Sequence, residues 1–199
     1  MNASQLSAES RTPAGKGGAR KLRAAGRIPA LIYRGGTEPT HISVDPAELR
    51  LIYARSNNPN TVLSIDVDGK GFLCLLSDTQ KHPVSRDLLH ADFFEINADE
   101  EVTVNVPVRA EGRAKGMIVG GKLQRLRRTI PVRCLPKDIP AEIVVDITEL
   151  DLNEFIRVSA IDNPPGGVIV FENDYNVLSL KGRRQAAAAT DEDAEAEAD

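Results

Sequence analysis

Residues 11–36 read RTPAGKGGARKLRAAGRIPALIYRGG. Seven of these residues are cationic, and the only acid before Gly36 is Glu9. This end therefore carries a formal charge of +6 (seven minus one) in a 199-residue protein of net charge −4. A local positive excess of this kind favours polyanionic partners. The seven cations are Arg11, Lys16, Arg20, Lys21, Arg23, Arg27 and Arg34.

The same stretch predicts a helix followed by a strand. Residues 19–25, ARKLRAA, are typical of a short helix, and Gly26 is a suitable residue to end it. Residues 28–33, IPALIY, predict an apolar strand that ends on Tyr33. Guanidinium groups match phosphate oxygens and guanine edges, and an aromatic ring beside them can stack on a base. A basic face that meets only solvent is the plainer alternative.

Three separated segments resemble one bacterial ribosomal family. Residues 15–36, GKGGARKLRAAGRIPALIYRGG, closely resemble the N-terminal signature of the large-subunit protein family numbered twenty-five, also called the CTC or general stress protein family. Residues 80–96, QKHPVSRDLLHADFFEI, resemble its second signature. Residues 120–140, GGKLQRLRRTIPVRCLPKDIP, are similar to the start of the second domain of its longer members. Three signatures in the right order, across about residues 5–183, make a specific match.

The resemblance carries expectations about fold, partners and site. It implies an N-terminal small antiparallel β-barrel with short helices, which docks on an irregular loop of 5S ribosomal RNA, where base edges are accessible. We therefore expect a structural constituent of the large ribosomal subunit, with 5S ribosomal RNA and other ribosomal RNA and proteins as partners. Carried over by motif position, the implied RNA-binding residues are Arg11, Lys16, Arg20, Lys21, Arg23, Tyr33, His90 and Asp92.

The second signature contains an alternating strand pattern. It places Leu89, Ala91 and Phe93 on one face and His90 and Asp92 together on the other. An acid that faces RNA loses Coulomb energy unless it accepts a hydrogen bond from a base or orients a neighbour. The alternative is a pair of groups that satisfy each other at a domain edge.

Two further patterns support the first domain. Asp45, Pro46 and Glu48 are typical of the start of a helix, with a cap, a first-turn proline and a capping-box acid. Residues 60–77 predict a hairpin that turns at Asp68-Gly69.

The sequence predicts a boundary at residues 97–100, NADE, and so three parts: a 5S RNA-binding domain at 1–97, a β-rich C-terminal domain at 98–185, and a disordered acidic tail at 186–199. The fold class is mainly β. Alternating valines begin the second domain, followed by a flexible loop at 112–121 and one strand over 123–135. The strand's arginine-bearing face fits a solvated surface. The tail has six acids and no base, so it cannot bury enough apolar surface to fold.

Several function classes are disfavoured. GKGG lacks the spacing and the Lys-Ser/Thr pair of a phosphate-binding loop, and the three histidines show no metal-ligand spacing. Cys74 and Cys134 are far apart in apolar strand patterns, which indicates buried reduced thiols and a cytoplasmic location. No apolar run could span a bilayer, and residues 1–10 lack a signal-peptide pattern. We expect no catalysis, no metal, no cofactor, no small-molecule substrate and no membrane.

Two other functions fit the basic stretch. One is a stress-related RNA-binding protein that acts off the ribosome, and co-sedimentation with large subunits would discriminate it. The other is a protein-interaction module whose basic end meets an acidic partner, in which case nuclease treatment would leave the complex intact.

Overall fold

The computed structural model describes residues 3–12, 15–36, 38–56 and 58–182. Contacts divide the chain into two compact units. The first takes residues up to 109 together with 129–144 and 162–172, and the second takes 110–128, 145–161 and the residues from 173 onward. The predicted tail at 186–199 lies outside the described residues, and the division into domains at 1–97 and 98–185 stays a prediction.

The first unit is built on a closed six-stranded barrel. Around the barrel the order is β1-β3-β2-β6-β5-β4, with antiparallel pairing except for the parallel pairs β1–β4 and β2–β6. The predicted fold class, mainly β with an N-terminal barrel, is confirmed, although the barrel is mixed rather than purely antiparallel. The strands are β1 (Ser4–Ser10), β2 (Ile28–Tyr33), β3 (Thr40–Val44), β4 (Val62–Val67), β5 (Lys70–Lys81) and β6 (Leu88–Glu95).

Alternating aliphatic side chains fill the barrel. Ile28, Ala30 and Ile32 of β2 are almost fully buried, as the strand period of two requires for an inward face. The polar N-terminal stretch was not expected to form a strand, yet β1 closes the barrel by pairing with both β3 and β4. Its inward residues are only Leu6 and Ala8, which is too short an apolar pattern to recognise in the sequence.

Two helices accompany the barrel strands, α1 (Lys16–Ala24) and α2 (Pro46–Ser56). The α1 helix ends as predicted at Gly26, whose φ of +81° suits a residue without a side chain. Before α2, a carboxylate oxygen of Asp45 accepts a 2.7 Å hydrogen bond from the amide of Ala47, as expected of a capping residue. Leu49 is the buried anchor of α2.

The predicted hairpin and strand at 60–95 are also present. β4 and β5 turn at Asp68 and Gly69, both with positive φ, which is typical of a two-residue hairpin turn. In β6, Ala91 and Phe93 face the core at 0% exposure. Leu89 is only half-buried, and Leu88 takes the buried position instead, because the register between β5 and β6 shifts beside it.

Two sheets follow the barrel in the sequence. A four-stranded sheet has the order β10-β7-β9-β12, and a three-stranded sheet in the second unit has the order β11-β13-β8. The remaining helical pieces are α3 (Lys115–Ile118) and a 3-10 turn (Val158–Ala160). The strands are β7 (Val102–Glu111), β8 (Lys122–Arg125), β9 (Thr129–Cys134), β10 (Ile143–Asp146), β11 (Phe155–Arg157), β12 (Gly167–Ile169) and β13 (Asn176–Lys181).

Two predictions for this part are wrong. Residues 123–135 are not one strand, because the chain breaks at 126–128 and β8 and β9 enter different sheets. The amides of Leu126 and Arg127 both donate to the carbonyl of Val177, which redirects the chain at the break. The loop at 112–121 is not free of structure either, since α3 lies within it and Gly116 is buried.

Candidate nucleic-acid interface

The outer face of β2 and β6 brings Tyr33, His90 and Asp92 together. The two strands pair in parallel, with Leu31 opposite Asp92 and Tyr33 opposite Phe94. Residues two apart on a strand share a face. On β6, Asp92 is two residues before Phe94, the residue opposite Tyr33, and His90 is four residues before it, so all three side chains lie on the outer face. The predicted grouping of these three side chains on one surface therefore exists in the fold.

His90 and Asp92 form a close pair on β6. Nδ1 of His90 lies 2.8 Å from a carboxylate oxygen of Asp92. The two atoms are buried and not aligned for a hydrogen bond, so neither has a partner of good geometry within the described residues. The side chains remain 19% and 29% exposed through their other atoms. The exposed parts of the imidazole ring and of the carboxyl group are therefore free to contact a bound molecule.

Tyr33 is fixed at the end of β2 with part of its ring open. Its hydroxyl donates a 2.9 Å hydrogen bond to Oγ of Ser77. Its ring meets Phe94 edge to face, with the centroids 5.6 Å apart and the planes at 63°. The residue is 37% exposed. A ring held in this way has a free surface on which a base can stack without first losing much side-chain entropy.

The α1 helix supplies an exposed cationic surface. It has no buried residue, no acid in its first turn and no side-chain cap among the described residues. Lys16, Arg20 and Lys21 are exposed, and no carboxylate of the described part of the chain pairs with them. The open amides at the start of a helix also favour an anionic group there.

Backbone hydrogen bonds fix the other end of α1. The amide of Arg27 donates to the carbonyl of Leu22, and the amide of Gly26 donates to that of Arg23. This pattern is a Schellman motif, and it joins the helix directly to β2. The cations of α1 are therefore carried on a short element whose exit is rigid.

Arg23 links α1 to the histidine–aspartate strand. Its Nε and Nη2 donate to the carbonyl of Leu89 at 3.2 and 3.1 Å, next to His90 in the chain. Since a guanidinium has five N–H groups, three remain for a ligand. Arg11 is used in a similar way, because its Nε donates to the carbonyl of Ile42 at 3.1 Å. Both predicted binding residues thus have a structural contact as well.

Two cations of the basic stretch are balanced by acids. Arg27 lies 2.8 Å from Glu9, and Arg34 lies 3.3 Å from Glu100. Their contribution to an anion-binding field is reduced accordingly. The field of the stretch therefore comes mainly from the five cations that were predicted to bind.

β5 also contributes to this surface, which the sequence did not predict. Gln80 is exposed and lies directly opposite His90, and Asp78 is exposed opposite Asp92. Side chains directly opposite on an antiparallel pair share a face. Gln80 is the first residue of the segment that resembles the second family signature, so the sequence shows that it lies near His90 along the chain. The strand register that places the two residues opposite each other cannot be recognised in the sequence.

No helix of the described residues is long and apolar enough to cross a membrane. Within the same residues, no group of three or more His, Cys, Asp or Glu side chains is arranged to hold a metal ion. Burial raises the pKa of the Cys74 thiol to about 12, and burial also raises the pKa of Cys134. Neither cysteine is therefore a reactive thiolate at neutral pH.

The chain matches two family models. The model of the Ribosomal L25p family matches residues 6–93, and the model of the C-terminal domain of ribosomal protein TL5 matches residues 101–184. These two segments span most of the described residues of both units.

Several curated proteins with similar sequences are named large ribosomal subunit protein bL25. The protein of Anaeromyxobacter dehalogenans strain 2CP-1 is 45% identical over 173 residues, which cover 87% of this chain and 72% of that protein. The protein of Sorangium cellulosum is 35% identical over 187 residues, covering 94% and 82%. The protein of Geobacter metallireducens is 34% identical over 194 residues, covering 96% and 100%.

Proposed function

This chain belongs to the Ribosomal L25p family of large-subunit ribosomal proteins, and we propose that its N-terminal barrel binds 5S ribosomal RNA within that subunit. Proteins of this family are structural constituents of the ribosome, so the chain is not an enzyme. We infer which RNA is bound, and by which side chains, from the surface formed by α1, β2 and β6.

The observation that carries the proposal is the position of α1 beside β6. Lys16, Arg20 and Lys21 have no acidic partner in the described chain, and Arg23 bonds to the carbonyl before His90. Free cations and a fixed polar strand face therefore form one surface. Cations attract the phosphate backbone without regard to sequence, and a polar strand face can distinguish base edges.

The proposed mechanism divides the surface into two roles. Lys16 and Lys21 neutralise phosphates, because an ammonium group is a point charge without preferred planar geometry. Arg20 and Arg23 reach groove edges or bidentate phosphate sites, since their planar forks match both. Arg11 adds a further cation at the end of β1. Each phosphate contact makes binding weaker at higher salt.

The strand face selects an irregular RNA site. Tyr33 offers a ring for stacking, while Asp92 accepts from a base amino group, and His90, whose Nδ1 lies 2.8 Å from the carboxylate, offers its ring edge. A regular A-form duplex hides its base edges in a deep, narrow major groove. The face is therefore suited to a loop of 5S RNA in which pairing is irregular.

We also propose that residues 1–97 and 98–185 are two domains, and that the second extends the contact area on the large subunit. The family-model matches at 6–93 and 101–184 support this division. Limited proteolysis of the full chain should then cut near residues 97–100 before it cuts within residues 6–93 or 101–184. A ribosome-associated location in the cytoplasm follows from the same function.

A titration of the full chain against two RNAs tests the RNA proposal. One is 5S RNA, and the other is 5S RNA with its irregular loop replaced by regular duplex. We expect tight, strongly salt-dependent binding to the first and much weaker binding to the second. Equal weak binding to both would reject site-specific recognition by this surface.

Sedimentation and nuclease treatment distinguish the ribosomal function from the two other functions that fit the basic stretch. If the protein acts as a stress-related RNA-binding protein away from the ribosome, it should appear in the ribosome-free fraction after sedimentation. If it instead binds an acidic protein partner, nuclease should leave the complex intact. Co-sedimentation with large subunits that nuclease abolishes would support the ribosomal function.

A further inference from the structure

A pocket of about 590 Å³ lies between α2 and the strands β5 and β6, outside the surface described above. Its apolar lining comes from Leu49, Tyr53, Leu76 and Leu88. The volume is within the range of sites that hold small organic groups. Tyr53 is half-buried, and its hydroxyl has no hydrogen-bond partner among the described residues.

Cations line the edge of this pocket. Arg50, Lys81 and Arg86 are all exposed lining residues. Arg50 pairs with Asp87 at 3.3 Å, whereas Lys81 and Arg86 have no acidic partner within the described chain. The pocket thus combines an apolar floor with uncompensated positive charge, which is complementary to a nucleotide, where a flat base is joined to a phosphate.

The loop at 82–87 holds Arg86 firmly. Arg86 has φ +61°, a conformation that costs energy for a residue with a side chain. Its amide donates to the carbonyl of His82 at 2.9 Å, and the amide of His82 donates to the carbonyl of Asp87 at 2.8 Å. Nδ1 of His82 also accepts from the amides of Val84 and Ser85. These hydrogen bonds pre-position Arg86 beside the pocket.

The basic edge of the pocket continues toward α1. A neighbouring hollow of about 300 Å³ is lined by Arg23, Arg27 and Arg50 and shares Leu88 with the pocket. Arg23 is the residue that joins α1 to β6. An RNA strand that leaves the α1 surface therefore passes Arg23, Arg27 and Arg50 before it reaches Lys81 and Arg86. Of these, Arg27 pairs with Glu9 and Arg50 with Asp87, whereas Lys81 and Arg86 have no acidic partner within the described chain.

We propose that this pocket receives one unpaired nucleotide of the RNA bound on the α1 surface. The base lies against Leu49, Tyr53 and Leu88, and its phosphate lies between Lys81 and Arg86. The inference rests on the proposed function, because it takes 5S RNA as the occupant.

The test uses the full chain and a double variant, Lys81→Gln with Arg86→Gly. Glycine suits a positive φ, so this change removes the charge and relieves strain instead of adding it. We expect the salt dependence of 5S RNA binding to fall by about one phosphate contact. The wild type should then lose roughly three- to fourfold more affinity than the variant between 50 and 200 mM salt. Lys70→Gln, an exposed cation at the other end of β5, is the matched control and should leave the slope close to that of the wild type.

A second readout tests the base in the pocket. Adenosine 5′-monophosphate is titrated into the isotope-labelled full chain, and we expect amide shifts at Tyr53 and Thr79 that the double variant lacks. An unchanged salt slope in the variant would overturn the inference, even with nucleotide shifts, since the pocket would then serve a free nucleotide. A reduced slope with shifts absent from Tyr53 and Thr79 would also overturn it, because the cations would act without a base site.

The two proposals fail differently. If wild-type protein binds 5S RNA no better than its regular-duplex derivative, the proposed function fails. If wild-type binding is loop-specific and the double variant matches the wild type in affinity and slope, the pocket inference alone fails.

Discussion

Two groups of arginines in this chain have similar sequence settings and different surroundings. In the first unit, Arg20 is exposed on α1 without an acidic partner among the described residues, and Arg23 bonds only a backbone carbonyl. In the second unit, Arg127 lies 5.0 Å from the centre of the Tyr175 ring, and Arg157 lies 5.3 Å from that of Phe155. Arg157 also pairs with Asp174 at 3.5 Å. A cation already in contact with a ring or an acid has less to offer a new ligand.

The number of cations in a segment therefore does not determine its function. The segments at 11–36 and 123–135 are both rich in arginine. What differs between Arg20 and Arg127 is whether the fold supplies a partner for the guanidinium group. Arg20 keeps its charge available, while Arg127 and Arg157 in the second unit lie over aromatic rings.

Neutralising α1 should have the largest effect on RNA binding. The triple variant Lys16→Gln, Arg20→Gln, Lys21→Gln should reduce the salt slope for 5S RNA by roughly two to three units. Loss of Arg20 alone should cost roughly 1–3 kcal/mol if it contacts a base edge. The measurement is a binding titration at several salt concentrations.

The matched control removes three arginines elsewhere, by changing Arg125, Arg127 and Arg133 to Gln. It lowers the net charge by the same amount, so a purely global charge effect would weaken binding equally in both triple variants. Equal weakening would contradict the assignment of α1. For Arg20→Ala alone, equal losses on 5S RNA and on scrambled RNA would reject its function as a base reader.

A pair of glycine substitutions compares packing in the two regions. A Cβ at Gly116 would clash with Cδ2 of Leu180 and would lie 2.7 Å from the backbone nitrogen of Leu152. Gly116→Ala should therefore lower the free energy of unfolding by roughly 1–3 kcal/mol. A Cβ at Gly17 would meet nothing within 4 Å. Gly17→Ala in α1 should instead raise the free energy of unfolding by about 0.4–1 kcal/mol.

Urea unfolding of the full chain measures both changes. An unchanged midpoint for Gly116→Ala would mean that the chain around α3 yields easily and that the second unit is loosely packed. The Gly17→Ala protein can also be titrated with 5S RNA. A loss of affinity in a stabilised protein would indicate that the RNA backbone approaches α1 closely at this position.

Much of the barrel was predictable because its elements carry strong local patterns. The Asp68-Gly69 turn, the Asp45 cap and the Gly26 helix end each depend on one residue type with a specific backbone preference. β1 was missed because Leu6 and Ala8 are its only buried residues, and its stability comes from pairing with two distant strands. Such non-local pairing leaves little trace in a short sequence window.

The second part of the chain was less predictable for the same kind of reason. An alternating pattern runs through 123–135, yet the fold divides it because a carbonyl of β13 accepts two amides at the break. At the candidate site, the shared face of His90 and Asp92 followed from the strand period. The position of Gln80 beside them did not, since it depends on the register between β5 and β6.

Arg23→Ala should have an intermediate effect, on stability as well as binding. It removes two hydrogen bonds to the carbonyl of Leu89 that join α1 to β6. Because the contact is solvent-exposed, we expect the free energy of unfolding to fall by about 1 kcal/mol. Arg20→Ala, without such a bond, should stay within about 0.5 kcal/mol of the wild type. Equal stability of the two variants in urea unfolding would show that the contact does not hold the helix.

Arg127→Ala should have the smallest effect and completes the comparison. Its contact with the Tyr175 ring at an exposed site is worth about 0.5–1 kcal/mol, so the free energy of unfolding should fall by no more than that. Affinity for isolated 5S RNA should not change, because the charge already faces a ring within its own unit.

Binding of the Arg127→Ala variant is measured to isolated 5S RNA and to whole large subunits. Weaker binding to subunits alone would mean that the second unit contacts another part of the ribosome. Weaker binding to 5S RNA would mean that contact with a ring does not exclude a cation from the RNA surface, and the contrast between the two arginine groups would no longer hold.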